Sequence, residues 1–305
     1  MKILLNRKIV NGPWGGGNKF VKNFFKFGTK NNNEIVNQFH KDIDVIHLQD
    51  LHADELGIDI NAALRYKHEF NPKVKLIHRV NDMDLGRYDS KPWRDDLYLK
   101  CSHYLDATVF VSEWTKEFFM NKGWACKQNF VISNGVDKEI FYPAPQLKKN
   151  NGKINIVTHH WSRNKGKGFD IYEKIDEFVK NNPDFTFTYI GRERGTFKNS
   201  SVISPIFGKE LGEELTKYDL YISASEYENC PNHILESLSC EIPTYACALG
   251  GASLGIVGNE HVFKDWQELE NIILSKSYLK NTYKVQSWED CIETYLKTYN
   301  EVSNK

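Results

Sequence analysis

The chain has no excess of charge of either sign: 40 Lys plus Arg are balanced by 40 Asp plus Glu across 305 residues. Nucleic-acid proteins carry a basic surplus or stripe, so this balance argues against that class. Cysteine is sparse, with six scattered residues, no Cys-x-x-Cys pair and no His at metal-ligand spacing. That pattern suggests reduced thiols rather than a disulfide frame or a zinc site. Long apolar runs are missing too. The start, MKILLNRK, is too short an apolar run for a signal peptide, and no segment nears the ~18 apolar residues of a membrane span. Together these absences suggest a cytoplasmic protein, and the length suffices for two domains with a core each.

What is present is alternation. Apolar runs rich in Val, Ile, Phe and Tyr predict strands at 2–6, 44–48, 73–79, 107–112 and 129–133, then at 154–159, 185–191, 219–225 and 242–248. Helical patterns lie between them, as in FDIYEKIDEFVKN (169–181), where Ile171, Ile175, Phe178 and Val179 share a face. Apolar strands alternating with helices imply parallel sheets covered on both faces, a doubly wound α/β class. Asn134-Gly135 marks a turn, Pro143 and Pro145 interrupt regular structure, and the polar run 148–153 reads as a linker. The expected organisation is two Rossmann-like domains of about five strands each, 1–146 and 147–284, facing a cleft, with a last helical segment over 285–305. Open sheets of this kind bind ligands at the carboxyl ends of their strands.

Three stretches sit at such ends. ENCPNHILE follows the strand DLYISAS and places Glu228 before, and Glu236 inside, a helix that begins near Pro231. The amides of Asn232, His233 and Ile234 would then point outward from a helix N-terminus, which favours phosphate. Glu236 would suit the vicinal hydroxyls of a ribose. On spacing alone, two acids decorating a helix start explain the pattern equally well. WSRNKGKGFD (161–170) supplies Arg163, Lys165 and Lys167 among glycines after INIVTHH. Either these neutralise a diphosphate or they form a solvated basic turn. GPWGGGNKF (12–20) lets backbone approach a bound group at Gly16 and Gly17, but Phe20 stands where a dinucleotide fingerprint needs its third glycine.

ISNGVD with F-x-P (132–143), the KGFD turn (167–170), the E-x7-E run (228–236) and the late Gly250-Gly251 occur in order. Together they resemble the retaining GT-B glycosyltransferases of family 4, the group that includes sucrose synthase and many polysaccharide mannosyl- and glucosyltransferases. The resemblance is strong over residues 130–250 and looser before them, where the chain is similar to bacterial capsule-type enzymes. It implies transfer of a hexose from a UDP- or GDP-sugar to a glycan, lipid-linked or other hydroxyl acceptor, with retention and with no metal or other cofactor. It implies that Glu236 holds the donor ribose, that Glu228 lies by the transferred sugar, and that residues 232–234 contact sugar or diphosphate. Lys167 would stabilise the leaving diphosphate.

The chain departs from that family in three places. The phosphate arginine's position is Ser162, with Arg163 offset by one; Glu241 replaces a helix-ending glycine; and no acid follows Gly251. In the N-terminal half, the resemblance to enzymes with a sugar-facing histidine near this point makes His78 the acceptor-side candidate, with Arg79 and Asp82 beside it; a strand-end histidine with ordinary hydrogen bonds is the alternative. Asp82-Met83-Asp84 imitates a metal-binding Asp-x-Asp, but the two-domain pattern belongs to the metal-independent class. The stretch 18–30 puts Lys19, Lys22 and Lys26 on one face and Phe20, Phe24 and Phe27 on another. It reads as a crossover helix packing its Phe side on the sheet, with weak peripheral membrane contact as the alternative. Rival functions are a sugar-nucleotide epimerase of the same architecture and a degenerate nucleotide-sugar-binding protein; a NAD-dependent dehydrogenase lacks its glycine fingerprint.

Overall fold

The computed structural model describes residues 1–10, 15–52, 56–88, 91–192, 194 and 196–304. The first three residues of the glycine-rich stretch, 12–14, lie outside them. Contacts divide the chain into two units: residues 1–84, 91–135 and 286–305, and residues 136–285 together with the segment from 85.

The first unit opens with β1 (Lys2–Leu5), α1 (Gly16–Phe27), β2 (Glu34–Val36) and β3 (Val45–Leu48). It continues through α2 (Ile60–Glu69), β4 (Lys75–Val80), α3 (Arg94–Cys101), β5 (Ala107–Phe110), α4 (Glu113–Met120) and β6 (Asn129–Val131). Its strands form a six-stranded sheet in the order β2-β1-β3-β4-β5-β6, and every pairing is parallel. Helices cover both faces of the sheet because its strands are apolar on both, as β3 and β5, buried at all four positions, illustrate.

The second unit holds β7 (Ile154–His160), α5 (Phe169–Asn181), β8 (Phe185–Gly191), β9 (Ser201–Ile203), α6 (Lys209–Leu215) and β10 (Leu220–Ser223). After them come α7 (Asn232–Ser239), β11 (Thr244–Cys247), α8 (Ser253–Val257), β12 (Val262–Phe263) and α9 (Trp266–Ser275). Its sheet runs β12-β11-β10-β7-β8-β9, again all parallel. The chain then returns to the first unit as α10 (Trp288–Ser303), started by a reciprocal cap between Ser287 and Asp290. Two six-stranded parallel sheets flanked by helices meet the doubly wound expectation.

Three strands are not among the nine expected from the sequence: β2, β9 and β12, of two or three residues each, all at sheet edges. The unit boundary also differs from 146/147. Val136 and Phe141 are buried in the second unit's core, whereas Gly135 belongs to the first, where a side chain would meet the Ser287 carbonyl at 2.4 Å. The run 148–153 is exposed but lies wholly within the second unit.

In α5 the fully buried centre is Tyr172, while Ile171 sits at the core's margin. Phe20 and Phe24 of α1 are buried against Trp288, Tyr295 and Tyr299 of α10. The apolar side of α1 is thus used internally. Among the described residues no helix is long and apolar enough to cross a membrane. None of the six cysteines is in a disulfide.

Candidate active site

At the carboxyl end of the second sheet the strands change from apolar to polar. Alternation along β7 sends Ile156 into the core beneath α5 and Val157 into the core beneath α7. The next residues keep that alternation. Thr158 and His160 both reach the Tyr172 hydroxyl, at 3.1 and 2.7 Å, whereas His159 turns to the other side, its Nε2 2.9 Å from Glu236 Oε2. Glu236 is 5% exposed, so it is buried and not turned outward.

Beyond β7 the chain makes a 3-10 turn over Lys165–Lys167, held by Asn164 Oδ1 accepting from the Gly166 amide at 3.0 Å. Gly168 follows in the left-handed region (φ +74°), where a Cβ would lie 2.2 Å from the Ala224 carbonyl oxygen. Only glycine lets this turn reach the strand that leads to Glu228. Lys167 Nζ donates to Glu228 Oε1 at 2.5 Å, with the two side chains 22% and 15% exposed. The late glycines hold that acid from behind. The Glu228 amide donates to Gly250 O at 3.2 Å, the Ala252 amide to Glu228 O at 2.8 Å, and Tyr227 between them takes a left-handed φ of +53°. Burial pushes the Glu228 carboxyl up, but Lys167 foremost, with His233 and Ser225, together outweigh it and hold the group below its ordinary value.

α7 begins after Pro231 with no side-chain cap, so its first turn offers backbone donors and a positive dipole end. One expectation needs correction here. The Ile234 amide donates to Pro231 O at 3.1 Å and its side chain is fully buried, so Ile234 contributes packing rather than a donor. His233 Nε2 lies 2.9 Å from Ser223 Oγ, and burial, partly opposed by Glu228, lowers its pKa to about 3. Burial also drives His160 well below its ordinary value, so both rings are neutral near pH 7. Ser162 Oγ accepts from the Asn164 amide at 3.1 Å and shapes the turn, while Arg163 is exposed and its carbonyl accepts from Arg194.

The segment from residue 85 belongs to this neighbourhood. The Tyr88 hydroxyl donates to Glu226, which raises the Tyr88 pKa to about 12, and its ring lies over Gly166. Sequence reasoning missed Tyr88 and Glu226, and likewise His159, His160 and Tyr221. The signal for the histidines was present: a polar T-H-H at the end of an otherwise apolar strand.

The other expected residues lie in the first unit. Gly16 and Gly17 form the uncapped first turn of α1, and a Cβ on Gly17 would come 3.3 Å from Gln49 Nε2. His78 and Arg79 correct the expectation of groups facing an acceptor. His78 is fully buried between Tyr98 and Trp124, and burial keeps it neutral. Arg79 is 1% exposed, donates to Tyr295 Oη at 3.0 Å and Asn134 Oδ1 at 2.6 Å, and stacks on Phe20. It therefore anchors α10 to β4. Asp82 and Asp84 flank the Arg94 guanidinium at 3.6 and 3.8 Å, and Asp84 accepts from the Trp93 and Asp95 amides at 2.9 Å each. The Asp-x-Asp is thus tied to the start of α3. Among the described residues no cluster of His, Cys, Asp or Glu has a metal-binding arrangement.

Comparison with known proteins bears on both units. The model of Glycosyltransferase Family 4 matches residues 7–140, the half where the motif resemblance was looser. Sucrose-phosphate synthase from Thermosynechococcus elongatus is similar over 93% of this chain and 77% of its own, with 15% identity and a TM-score of 0.66. HepE from Anabaena, solved with UDP and glucose, is similar over 99% and 97% of the two chains, with 14% identity and a TM-score of 0.67. AviGT4, a glycosyltransferase involved in avilamycin A biosynthesis, is similar over 99% and 98%, with 12% identity and a TM-score of 0.63. No curated protein matches the sequence. The fold is that of the GT-B glycosyltransferases, two Rossmann-like units, and the resemblance drawn from the motifs is borne out at that level.

Proposed function

We propose that the chain is a glycosyltransferase that moves a hexose from a UDP-sugar to a hydroxyl acceptor of a glycan or lipid-linked saccharide. The transfer would proceed with retention and without a resident metal. One observation carries the reading: Lys167, Glu228 and the start of α7 meet at one sheet end, with Glu236 buried one turn inside that helix. A cation and a dipole end suit a diphosphate, and two fixed acids suit sugar hydroxyls. The uridine donor is favoured by HepE, which was solved with UDP, with UDP and glucose, and with UDP-glucose. No similar structure named above speaks for GDP-sugars.

In the proposed step the bond from the anomeric carbon to the diphosphate oxygen breaks, and its electron pair leaves with UDP. The acceptor oxygen bonds to the same face of that carbon, and its proton passes to the departing phosphate oxygen. No side-chain base is needed, which accords with His78 being buried. Lys167 stabilises the negative charge that develops on the leaving group, and loss of such a donor costs about 2.7–4 kcal/mol of barrier. Glu236→Ala should abolish measurable turnover of UDP-glucose in a coupled UDP-release assay. Wild-type rates in that variant would refute the site. An epimerase would convert the donor with no acceptor present, and a degenerate binder would retain UDP affinity without transfer.

A further inference from the structure

We propose that His159 is the positioning residue for Glu236. Its Nε2–H would orient the carboxylate that meets the donor ribose, and Tyr221 would fix the tautomer that makes this possible. The inference rests on the donor-site reading above and adds residues that the motifs do not contain.

The argument counts protons. His159 is held by strand pairing, since β7 pairs with β8 along its whole length and with β10 through Leu220–Ile156 and Tyr221–Val157. Tyr221 stands edge-on to its ring, 5.5 Å between centroids. The Tyr221 oxygen accepts the His159 backbone N–H at 3.2 Å and lies 3.1 Å from Nδ1. A backbone amide only donates, so the phenol keeps its own proton to give away. Its contact with the His159 carbonyl is longer, 3.4 Å, so Nδ1 is the better acceptor. A neutral imidazole that accepts at Nδ1 carries its hydrogen at Nε2, and Nε2 faces Glu236 Oε2 at 2.9 Å. The Glu236 carboxylate oxygen accepts that hydrogen, so the relay runs donor to acceptor from Tyr221 through His159 to Glu236.

The consequence concerns the ligand. A carboxylate has a soft terminal torsion. Pinning one oxygen from a sheet strand sets the plane in which the group meets a vicinal diol, so its orientation is fixed before the ligand arrives. His159, Tyr221 and Glu236 are all buried and come from three elements, β7, β10 and α7, and hydrogen-bonded side chains of that kind lock a binding group in place.

The test compares UDP with 2′-deoxy-UDP by titration calorimetry, using wild type, H159L, H159Q and Y221F. Glutamine keeps an N–H near the Nε2 position, and leucine has none. Wild type should prefer UDP by about tenfold, a ribose-hydroxyl discrimination equivalent to 1.4 kcal/mol. H159L should lose that preference, H159Q should recover most of it, and Y221F should fall between them. A merely structural role would lower thermal stability and leave the ratio unchanged in every folded variant. Undiminished discrimination in H159L, or in Y221F if H159L does not fold, overturns the inference while leaving the donor site standing. Failure of wild type to bind UDP at all overturns both.

Discussion

Lys167 and Glu228 already neutralise one another, their charged atoms 2.5 Å apart. A diphosphate arriving at Lys167 must share it with a carboxylate of its own sign. Glu228→Gln keeps the shape and removes the competitor. UDP should therefore bind more tightly to that variant, by up to about tenfold or 1.4 kcal/mol, while transfer to acceptor falls at least a hundredfold. Weaker UDP binding would mean that Glu228 does not oppose the diphosphate. The pair also sets an acid response. Because the folded-state pKa of Glu228 is lowered, its contribution to stability is present above the ordinary carboxylate range and is lost as pH falls through the folded value. Lys167→Met removes the largest lowering influence and leaves burial to raise that pKa. The Glu228 contribution then changes sign and grows as pH falls, so the variant's urea midpoint, followed by circular dichroism, should decline less between about pH 6 and 3 than that of wild type. Both residues were legible in the sequence because their spacing carries a motif. Their partner His159 was not, since its meaning depends on Tyr221 and Glu236, 62 and 77 positions away.

At the scale of elements, what pattern reveals and what it hides divide by burial. Strands with a neighbour on each side have to be apolar on both faces, and β3, β4, β5, β7 and β10 stood out for that reason. β2, β9 and β12 border solvent and have two or three residues, too few to show a period. α7 shows how a local conflict is tolerated. It ends with Glu241 at φ +56°, the left-handed position for which glycine is suited, and the Ile242 amide closes back on Ser237 O at 3.2 Å. A side chain there costs about 1–2 kcal/mol. The exposed Glu241–Lys280 pair, 2.6 Å apart, returns at most about 1 kcal/mol. Glu241→Gly should therefore stabilise the fold by about 0.5–1 kcal/mol in urea denaturation, with unchanged m-value and unchanged UDP affinity. A destabilised variant would show that the pair outweighs the backbone strain.

Across the whole molecule, buried neutral imidazoles recur in both units. His47 and His78 lie in the first unit's sheet, on β3 and β4, while in the second unit His160 is on β7 and His233 on α7. Burial pulls His47 and His233 down to about 3, and His78 and His160 well below their ordinary value. The sign follows from proton counting. Between about pH 6.5 and 3 the unfolded chain binds protons at these rings and the native chain does not, so stability falls as pH falls. Each ring costs about 1.4 kcal/mol by one pH unit below its unfolded value. The two rings held at about 3 would together remove about 2.8 kcal/mol by pH 5.5, with His78 and His160 acting in the same direction, a large share of the 5–15 kcal/mol typical of native proteins. The denaturation midpoint in urea should accordingly drop steeply between pH 7.5 and 5.5. His47→Phe suits the core made by Phe20, Phe24 and Tyr299 and removes one titrating group. That variant should flatten the pH slope by about a quarter even if the hydroxyl of Tyr299 loses its partner and absolute stability declines. A slope identical to wild type would mean that His47 takes up its proton in the native state as readily as in the unfolded one.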